Sequence, residues 1–452
     1  MKRFYQFLHS GLRSTLFLLL AFVLFGSVVG QPTAPGKIKD LRPTVILVGI
    51  DGFRYDYFEK FGTPNLDRLA AKGVRARWMT PSYPSKTFPN FYTIATGLYP
   101  EQHGIVENNI YDFGTQFSMG NKSEVQNARW WLGEPIWVTA EKNGLRAAPF
   151  FYPGSEAAIG GRHAAFWAEY QHTMPADEKI AQLMQWIDLP VAERPQYLSL
   201  YFHDVDTAGH HFGPDSLENR RAVLDVDVSI GRLIAELKRR GIENRVNIVV
   251  VSDHGMAAAD WNNVVLLDKY FDLSLAERIL YADQIVQIFP QPGQKDNILQ
   301  KLAGIEHAEC LAKESISARF RYSAGVRVAP IICRAETGWA VTNAERFAET
   351  SARPDFTRMH GEHGYDNEDP EMRAIFVGRG PAFKKAGKML PATVLGPLMT
   401  DGFLRTAPKT KKARMVEPFA NIEVYNILCH ILGIPPAPNS GHPDMYKGIL
   451  RK

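Results

Sequence analysis

The stretch Thr44-Val-Ile-Leu-Val-Gly-Ile-Asp-Gly52 decides the fold class. Its unbroken run of apolar, mainly β-branched residues is typical of a strand that is buried on both faces, as in a parallel sheet. An acid and a glycine end the run. The same plan recurs along the chain, because the apolar runs at 197–202 and 247–252 are also followed by acids. A further strand is predicted at 374–377.

Helical patterns alternate with these strands. A short helix is predicted at 64–72 and a longer one at about 216–240, where the apolar side chains form one stripe that only Asp227 interrupts. This alternation predicts an α/β fold, in which helices cover both faces of a mostly parallel central sheet. Such folds bind ligands beyond the carboxyl ends of their strands. The acids that follow the strands are therefore expected to meet at one edge of the sheet.

The N-terminal segment has the pattern of a secretory signal. Basic residues precede the apolar stretch 16–29, which is shorter than the roughly 18 residues of a membrane span and leads into small residues that permit cleavage after about Gly30. An uncleaved membrane anchor is the alternative. We predict a signal peptide at 1–30, a linker at 31–43, and a periplasmic or secreted protein that contacts a membrane only if the segment stays uncleaved.

The rest of the chain has the composition of one folded body, predicted at 44–443. Of the 452 residues of the whole chain, 45% are apolar and 22% are charged. The formal net charge of +4 argues against a nucleic-acid polymer as an obligate partner. A weaker pattern of short β-like pieces predicts a small inserted α+β subdomain at about 257–360. The three cysteines, Cys310, Cys333 and Cys429, allow at most one bridge, and ordinary packing is the favoured interpretation.

Several aspartates and histidines are of the residue types that bind metal ions. They are Asp51 after the first strand, Asp206 with His210, Asp253 with His254, and His363 in Gly-Glu-His-Gly-Tyr-Asp-Asn. Carboxylate oxygen and imidazole nitrogen suit zinc, which takes about four ligands. A single Asp-x-x-x-His is common in proteins. Together, however, the clusters predict two divalent ions about 3.5 to 4 Å apart, an arrangement that serves displacement at a phosphate ester.

Thr87, in Pro-Ser-Lys-Thr-Phe-Pro-Asn, is the candidate nucleophile. The residues after it suit a first helical turn, where backbone N–H groups favour anions. Taken alone, such a threonine is more often a simple N-cap, and only the metal clusters favour chemistry. Three aspartates and a Thr87 alkoxide would balance two dications, so that a monoanionic diester binds without repulsion. A dianionic monoester would need a further cation, and no arginine stands beside these motifs.

These motifs resemble those of the nucleotide pyrophosphatase/phosphodiesterase family of the alkaline phosphatase superfamily. The resemblance covers about residues 44–443 and is carried, in order, by the segments 48–52, 84–90, 97–105, 206–214, 252–256, 363–367, 421–426 and 436–439. It implies an alkaline phosphatase-like fold, two zinc ions, and hydrolysis of phosphodiester or pyrophosphate bonds of nucleotides through a phosphothreonine intermediate. Since the chain ends soon after the match, a single catalytic domain is expected.

The resemblance also implies roles for individual residues. One zinc would be held by Asp206, His210 and His363, and the other by Asp51, Thr87, Asp253 and His254. Asn108, which alone would be a turn residue, would donate a hydrogen bond to a phosphate oxygen. Phe88 and Tyr170 would grip a nucleotide base between aromatic rings, and such stacking tolerates any base. Without the resemblance, either ring fits a core position.

Two departures from the family pattern leave substrate choice open. Tyr152 stands where the family commonly has tryptophan, and His203-Asp204 precede Asp206 where many members carry other residues. A phospholipid headgroup hydrolase or a phosphomonoesterase would use the same metals. A non-catalytic envelope binding protein is the alternative of another class. A sulfatase is disfavoured, because the chain has neither Cys-x-Pro-x-Arg nor Ser-x-Pro-x-Arg.

Overall fold

The computed structural model describes residues 36–112, 114–385 and 413–451. The predicted signal peptide and residues 31–35 of the predicted linker lie outside these ranges. None of the helices in the described ranges has the combined length and hydrophobicity of a membrane-spanning segment. The described residues from Lys37 onward belong to one structural unit. The division of the chain into domains stays a prediction.

Strands form a central sheet and several smaller ones. In the described residues the strands are β1 (Val45–Ile50), β2 (Val74–Ala76), β3 (Met79–Thr80), β4 (Asn109–Asp112), β5 (Thr115–Ser118), β6 (Ala147–Pro149), β7 (Tyr197–Phe202), β8 (Asn247–Val251), β9 (Ala257–Asp260), β10 (Val264–Leu266), β11 (Ala276–Tyr281), β12 (Ile285–Pro290), β13 (Ala308–Ala312), β14 (Ile331–Ala335), β15 (Ala340–Thr342), β16 (Met359–Glu362), β17 (Phe376–Arg379), β18 (Arg414–Val416) and β19 (Phe419–Ala420).

The central sheet is mostly parallel, as the sequence predicts. Within the described residues its strand order is β18-β2-β17-β8-β1-β7-β6. Strands β6, β7, β1 and β8 run parallel to one another, whereas β17 runs antiparallel to both of its neighbours. All six residues of β1 are buried, because both faces of this strand are covered. The predicted strands at 44–50, 197–202 and 247–252 correspond to β1, β7 and β8, and the one at 374–377 overlaps β17.

Helices pack on this sheet in two groups. The α-helices of the described residues are α1 (Tyr57–Phe61), α2 (Pro64–Ala71), α3 (Thr87–Thr96), α4 (Pro100–His103), α5 (Lys122–Val125), α6 (Ile136–Lys142), α7 (Ala176–Asp188), α8 (Asp204–Phe212), α9 (Leu217–Arg239), α10 (Lys295–Leu302), α11 (Ala344–Ser351), α12 (Glu423–Leu432) and α13 (Tyr446–Ile449). Helices α1, α2 and α7 contact α9, whereas α3 and α6 contact α12. The predicted α/β class is confirmed.

Helix α9 shows how local sequence and long-range contacts combine. Its N-terminus is capped by Ser216, whose hydroxyl oxygen accepts a hydrogen bond from the backbone N–H of Asn219 at 3.1 Å. Asp227, the acid on its apolar stripe, is buried. The carboxylate of Asp227 accepts hydrogen bonds from the backbone N–H groups of Asn65 and Leu66 at 3.0 and 2.8 Å. Asp227 therefore caps the first turn of α2 from a neighbouring helix.

The segment 257–360 contains a sheet of its own. Its strand order is β11-β12-β14-β13, and all neighbouring strands run antiparallel. This sheet is built around a separate apolar cluster that includes Val286, Ile288 and Ile331. Other residues of the segment, among them Phe320, pack against the main core. The segment is therefore both internally packed and attached to the body that carries the central sheet.

Two cysteines of this segment correct the sequence analysis. Cys310 on β13 lies opposite Cys333 on β14, with Cα atoms 3.9 Å apart, and the two form a disulfide. The sequence allows one bridge among the three cysteines but favours ordinary packing, and for this pair that preference is wrong. The pairing depends on the register of two strands that are separated along the chain, which the cysteine spacing does not reveal. Cys429 is buried and free.

Candidate functional site

Three of the predicted acids lie at the carboxyl edge of the central sheet. Strands β7, β1 and β8 are adjacent and parallel, so their carboxyl ends share one edge. Asp51 follows β1, Asp253 follows β8, and Asp206 lies in the first turn of α8, which begins just after β7. Gly52 has a φ of +65°, and a Cβ atom there would lie 2.9 Å from the Cα of Asp206. Glycine therefore lets two strand ends approach closely.

The first group of side chains surrounds the ring of His254. Its Nε2 atom lies 2.8 Å from Asp253 Oδ2, 3.5 Å from Asp51 Oδ1 and 3.4 Å from Thr87 Oγ1. All four residues are buried. The structure thus brings together residues from the ends of β1 and β8 and from the start of α3, which lie far apart in the sequence.

The second group consists of Asp206, His210 and His363. The Nε2 atoms of His210 and His363 lie 3.5 and 3.6 Å from Asp206 Oδ1 and 3.1 Å from each other. The two groups are in contact, because the rings of His254 and His363 stack with their centroids 3.6 Å apart. Burial would lower the pKa of His210, but the charges of Asp206 and Glu362 outweigh burial and raise it.

Backbone carbonyl groups hold all three imidazoles. The Nδ1 atoms of His210, His254 and His363 lie 2.9, 2.8 and 2.8 Å from the carbonyl oxygens of Gly361, Gly255 and Ser85. Because a carbonyl oxygen only accepts, each Nδ1 carries a proton, and in the neutral ring Nε2 keeps a lone pair. Metal-binding histidines are oriented in this way. The three rings thus turn a free lone pair toward the acids.

The acids also have unused capacity. Asp51 Oδ1, Asp206 Oδ1 and Asp253 Oδ2 are buried and have no hydrogen-bond partner among the described residues. A buried carboxylate oxygen without a partner costs roughly 1–3 kcal/mol or more, so such oxygens are rare unless they bind something. Each one lies within 3.6 Å of an imidazole Nε2 atom. The donor set of three oxygens and three nitrogens fits divalent cations such as zinc.

The protonation of these groups reflects their burial. Burial and the carboxylate of Asp253 raise the pKa of Asp51 well above its usual range, and burial and Asp206 do the same for Asp253. Burial lowers the pKa of His254, and burial with the neighbouring His254 ring lowers that of His363 further. A divalent cation favours ionised carboxylates and neutral imidazoles. It would therefore lower the raised pKa values of the two aspartates, whereas the lowered pKa values of the two histidines would help it to bind.

Thr87 is the first residue of helix α3, where the sequence predicts a helical start. Its side chain is buried, and the residue before it, Lys86, is extended. The backbone N–H of Phe88 donates a hydrogen bond to Asn108 Oδ1 at 3.0 Å. Asn108 therefore lies against the first turn of α3, the turn that begins at Thr87. A cleft opens beside Thr87, and Asn108 is not among the residues that line it.

A cleft of about 600 Å³ opens beside Thr87 and Asp51. Phe88 and Tyr170 both line it and are partly buried. Phe88 packs against Trp131 with ring centroids 5.8 Å apart. Both rings that the sequence analysis selected thus face the cavity next to the candidate nucleophile, and each leaves part of its surface open to a ligand.

Sequence reasoning missed Tyr201, which holds one of the acids. Its hydroxyl donates a hydrogen bond to Asp51 Oδ2 at 2.5 Å, and burial raises the pKa of Tyr201 well above its usual range, so it stays a donor. Tyr201 lies on β7 directly opposite Gly49 of β1. A signal existed in principle, because a residue near the end of a parallel neighbour strand lies beside the same edge.

Lys86 is a second residue that was missed. Its side chain is buried, and its Nζ donates hydrogen bonds to Gln284 Oε1 at 2.6 Å and to the carbonyl oxygen of Ala282 at 3.2 Å. These acceptors lie just before β12, so Lys86 links the start of α3 to the segment 257–360. No sequence signal could have found this contact, because it depends on how two distant segments pack.

Comparison with known proteins identifies relatives. A model of the family described as type I phosphodiesterase / nucleotide pyrophosphatase matches residues 45–366. The ectonucleotide pyrophosphatase/phosphodiesterase family member 3 of Rattus norvegicus is 36% identical over 425 residues, which cover 91% of this chain and 44% of the rat protein. An uncharacterized pyrophosphatase/phosphodiesterase of Schizosaccharomyces pombe is 37% identical over 420 residues, which cover 90% of this chain and 80% of that protein.

Solved structures agree with these relatives. Murine ectonucleotide pyrophosphatase/phosphodiesterase 5, in an inactive form in complex with AMP, matches with a TM-score of 0.78 and 29% sequence identity. The match covers 90% of this chain and 100% of the murine chain. The chain thus spans less than half of the rat relative but the whole of this solved one.

Proposed function

Because the chain belongs to the type I phosphodiesterase / nucleotide pyrophosphatase family, we propose that it is a two-zinc enzyme that hydrolyses phosphodiester or pyrophosphate bonds of nucleotides. Its relatives carry the names of pyrophosphatases and phosphodiesterases, and a solved relative is in complex with AMP. The candidate metal ligands, the buried threonine and the aromatic cleft of this chain support the same activity.

One observation carries the proposal: three carboxylate oxygens, which have no hydrogen-bond partner among the described residues, and three imidazole lone pairs lie together at the edge of the sheet where Thr87 Oγ1 is 3.4 Å from His254 Nε2. We assign Asp206, His210 and His363 to one zinc, and Asp51, Asp253 and His254, with Thr87, to the other. Bound zinc ions would activate the threonine hydroxyl and a water molecule and would offset the negative charge that develops on the phosphoryl group.

In the proposed reaction Thr87 is the nucleophile. Its oxygen forms a new bond to phosphorus, and the bond to the leaving alcohol or phosphate breaks, which yields a phosphothreonine ester. Water then breaks the phosphorus–threonine bond and restores the hydroxyl. The position of Thr87 at the start of α3 supports this role, because the partial positive charge of a helix N-terminus favours both an alkoxide and a bound phosphate.

The substrate would be oriented by three further residues. The Asn108 amide, whose oxygen is already bonded to the backbone of Phe88, has its nitrogen left to donate to a phosphate oxygen. Phe88 and Tyr170, which line the cleft beside Thr87, would stack on the base. Stacking contributes roughly 1–3 kcal/mol per base and accepts every base.

Charge favours a diester over a monoester. Three ionised aspartates and a deprotonated Thr87 would balance two dications, so a monoanionic phosphodiester meets no net repulsion. The residues that line the cleft include no arginine, and their one lysine, Lys122, lies 3.7 Å from the carboxylate of Glu169. The Nζ of Lys86 is held by Gln284 and the carbonyl oxygen of Ala282, and Lys86 does not line the cleft. We further propose 44–443 as the catalytic domain, with a subdomain inserted at 257–360, in a periplasmic or secreted protein.

A substrate comparison tests the proposed activity. Purified protein loaded with zinc is given the 4-nitrophenyl ester of thymidine 5′-monophosphate and, separately, 4-nitrophenyl phosphate. We expect kcat/KM for the diester to exceed that for the monoester by roughly 100-fold or more, because the extra charge of the monoester is not neutralised. A preference for the monoester would overturn the assignment, and no turnover of either compound would favour a binding protein.

The metal content is tested separately. Elemental analysis of the purified protein should find two equivalents of zinc per chain. Dialysis against a chelator should abolish diester turnover, and added zinc should restore it. Full activity in a protein that contains less than one equivalent of any divalent metal would contradict the proposal.

A further inference from the structure

Tyr170 joins two imidazoles at the wall of the cleft. Its hydroxyl oxygen lies 3.2 Å from Nδ1 of His172 and 3.2 Å from Nδ1 of His203. The two imidazole rings face each other with centroids 3.9 Å apart. All three side chains line the cleft that also contains Thr87 and Asp51. This cluster lies outside the candidate metal ligands, and its two imidazoles have no part in the chemistry proposed above.

The shared hydroxyl constrains the protons of the cluster. Burial raises the pKa of Tyr170, so the phenol keeps its proton, and burial lowers the pKa of His203 to about 4, so that ring is neutral at neutral pH. A phenol has one proton to donate. Because its oxygen lies within hydrogen-bond distance of both Nδ1 atoms, the phenol can donate to one of them while it accepts from the other.

Opposite tautomers follow for the two rings. The imidazole that receives the phenol proton carries its own proton on Nε2 and offers a donor there. The imidazole that donates from Nδ1 has a lone pair on Nε2 and offers an acceptor. The Tyr170 hydroxyl cannot simply rotate from one imidazole to the other. A change of hydrogen-bond partner requires both rings to exchange tautomers. In this arrangement of two neutral rings the pair presents one donor and one acceptor.

We propose that His172 and His203, coupled through Tyr170, form the polar end of the nucleoside subsite and hydrogen-bond to the edge of a heterocyclic base. This inference rests on the proposed function and deepens it. On the edge formed by pyrimidine C4 or purine C6 and the adjacent ring nitrogen, cytosine and adenine present an amino donor beside an acceptor nitrogen, whereas uracil, thymine and guanine present a carbonyl acceptor beside an N–H donor. Because the coupled pair can present either order, it accepts both kinds of nucleotide.

Position supports this assignment. Tyr170 is the aromatic ring proposed to stack on the base, so polar atoms bonded to its hydroxyl lie at the rim of the stacked base. The backbone N–H of Tyr170 donates a hydrogen bond to the buried carboxylate of Glu156 at 3.0 Å, which fixes the segment. Its ring packs against Phe151 and Tyr201 with centroids 5.4 and 5.8 Å apart. These contacts fix the position of Tyr170, the residue to which both imidazoles are bonded.

The test separates base recognition from phosphate chemistry. Tyr170→Phe keeps the ring that stacks and removes only the shared hydroxyl. For 4-nitrophenyl esters of uridine and cytidine 5′-monophosphates we expect KM to rise about three- to tenfold with kcat nearly unchanged, the effect of losing well-placed hydrogen bonds. For bis(4-nitrophenyl) phosphate, which has no base, kcat/KM should fall by a clearly smaller factor than for the nucleotide esters. An equal loss on both kinds of substrate would mean that the hydroxyl only maintains the cleft, and no change on either would also overturn the proposal.

Coupling between the residues gives a second readout. His203→Ala should raise the nucleotide KM by a similar factor, and the double variant Tyr170→Phe/His203→Ala should be little worse than either single variant, because one unit has been broken. Additive effects would overturn the coupling. The control is His163→Ala, which removes an exposed imidazole that stacks on Trp167, with centroids 4.2 Å apart, and does not line the cleft. It should leave KM unchanged.

Failure of the proposed function can be distinguished from failure of this inference. Calorimetric titration of AMP, UMP and CMP into the zinc-loaded Thr87→Ala protein requires no turnover. We expect measurable and similar affinities that fall about three- to tenfold when Tyr170→Phe is added. The wild-type protein could hydrolyse neither the nitrophenyl diester nor the nitrophenyl monoester, while Tyr170→Phe still lowers nucleotide affinity. In that case the proposed activity is wrong and the nucleoside subsite stands. If nucleotides bind equally well to both proteins, the subsite assignment is wrong.

Discussion

Two regions of the molecule bury aspartate side chains in opposite ways. Where α9 meets α2, Asp227 is only 1% exposed, and its carboxylate accepts hydrogen bonds from the backbone N–H groups at the start of α2. At the carboxyl edge of the central sheet, Asp51, Asp206 and Asp253 each keep one buried oxygen without a partner among the described residues. The first region is complete as folded. In the second region three carboxylate oxygens remain available to bind a metal ion. That difference separates an aspartate that serves the fold from one that is retained for a ligand.

The largest expected effect comes from Thr87, in the second region. Thr87→Ala removes the proposed nucleophile but leaves the carboxylates and imidazoles in place. We expect turnover of the thymidine diester to fall by roughly 10⁴-fold or more, with zinc content and thermal stability nearly unchanged. Steady-state kinetics and elemental analysis measure this. Thr87→Ser is the matched control and should keep measurable turnover, whereas an alanine variant within tenfold of the wild type would contradict the assignment.

Asp253→Asn tests whether the unsatisfied oxygens serve a metal. The amide is a much poorer ligand than a carboxylate, so the protein should lose about one equivalent of zinc, and turnover should fall roughly 100-fold. The chelator-treated variant should be no less stable than the chelator-treated wild type, because a buried acid with an unpaired oxygen has been removed. Elemental analysis and chemical denaturation provide the readouts. Full zinc occupancy would place Asp253 with the structural acids.

Asp227→Asn is the converse experiment in the first region. The asparagine amide group cannot accept the bonds that both carboxylate oxygens receive, so the free energy of unfolding should fall by about 2 kcal/mol. Zinc content and turnover per folded molecule should be unchanged. Asp225→Asn, at an exposed position of the same helix, is the control and should change stability by no more than about 0.5 kcal/mol. A variant that loses zinc would erase the distinction between the regions.

Much of the fold and the candidate ligands could be predicted because the signals are local. The apolar run of β1 and the acid that follows it lie within one short stretch, and parallel strands bring such acids to a common edge. Contacts that need tertiary packing could not be predicted. The role of Asp227 depends on α2 approaching α9, and the Cys310–Cys333 bridge depends on the register of β13 and β14. From the sequence alone, Asp227 is only the one acid that interrupts the apolar stripe of α9.

Tyr201 belongs to both kinds of region, and it provides the finest test of the comparison. Its hydroxyl donates a hydrogen bond to Asp51 Oδ2, and within the part of the chain that the structure describes the other oxygen of that acid, Oδ1, has no partner. We expect Tyr201→Phe to weaken zinc binding about tenfold, because hydrogen bonds to a ligand orient it and fix which oxygen faces the metal.

Competition with a chromogenic chelator measures the zinc affinity of the Tyr201→Phe protein, and kcat for the diester should fall by no more than about tenfold once zinc is saturating. The buried ring remains, so thermal unfolding of the chelator-treated protein should change little. The two quantities separate the possible roles. If zinc affinity is unchanged while stability drops, the bond to Asp51 acts like those to Asp227 and serves the fold. If zinc affinity alone falls, Tyr201 orients a carboxylate that the protein keeps free for a cation.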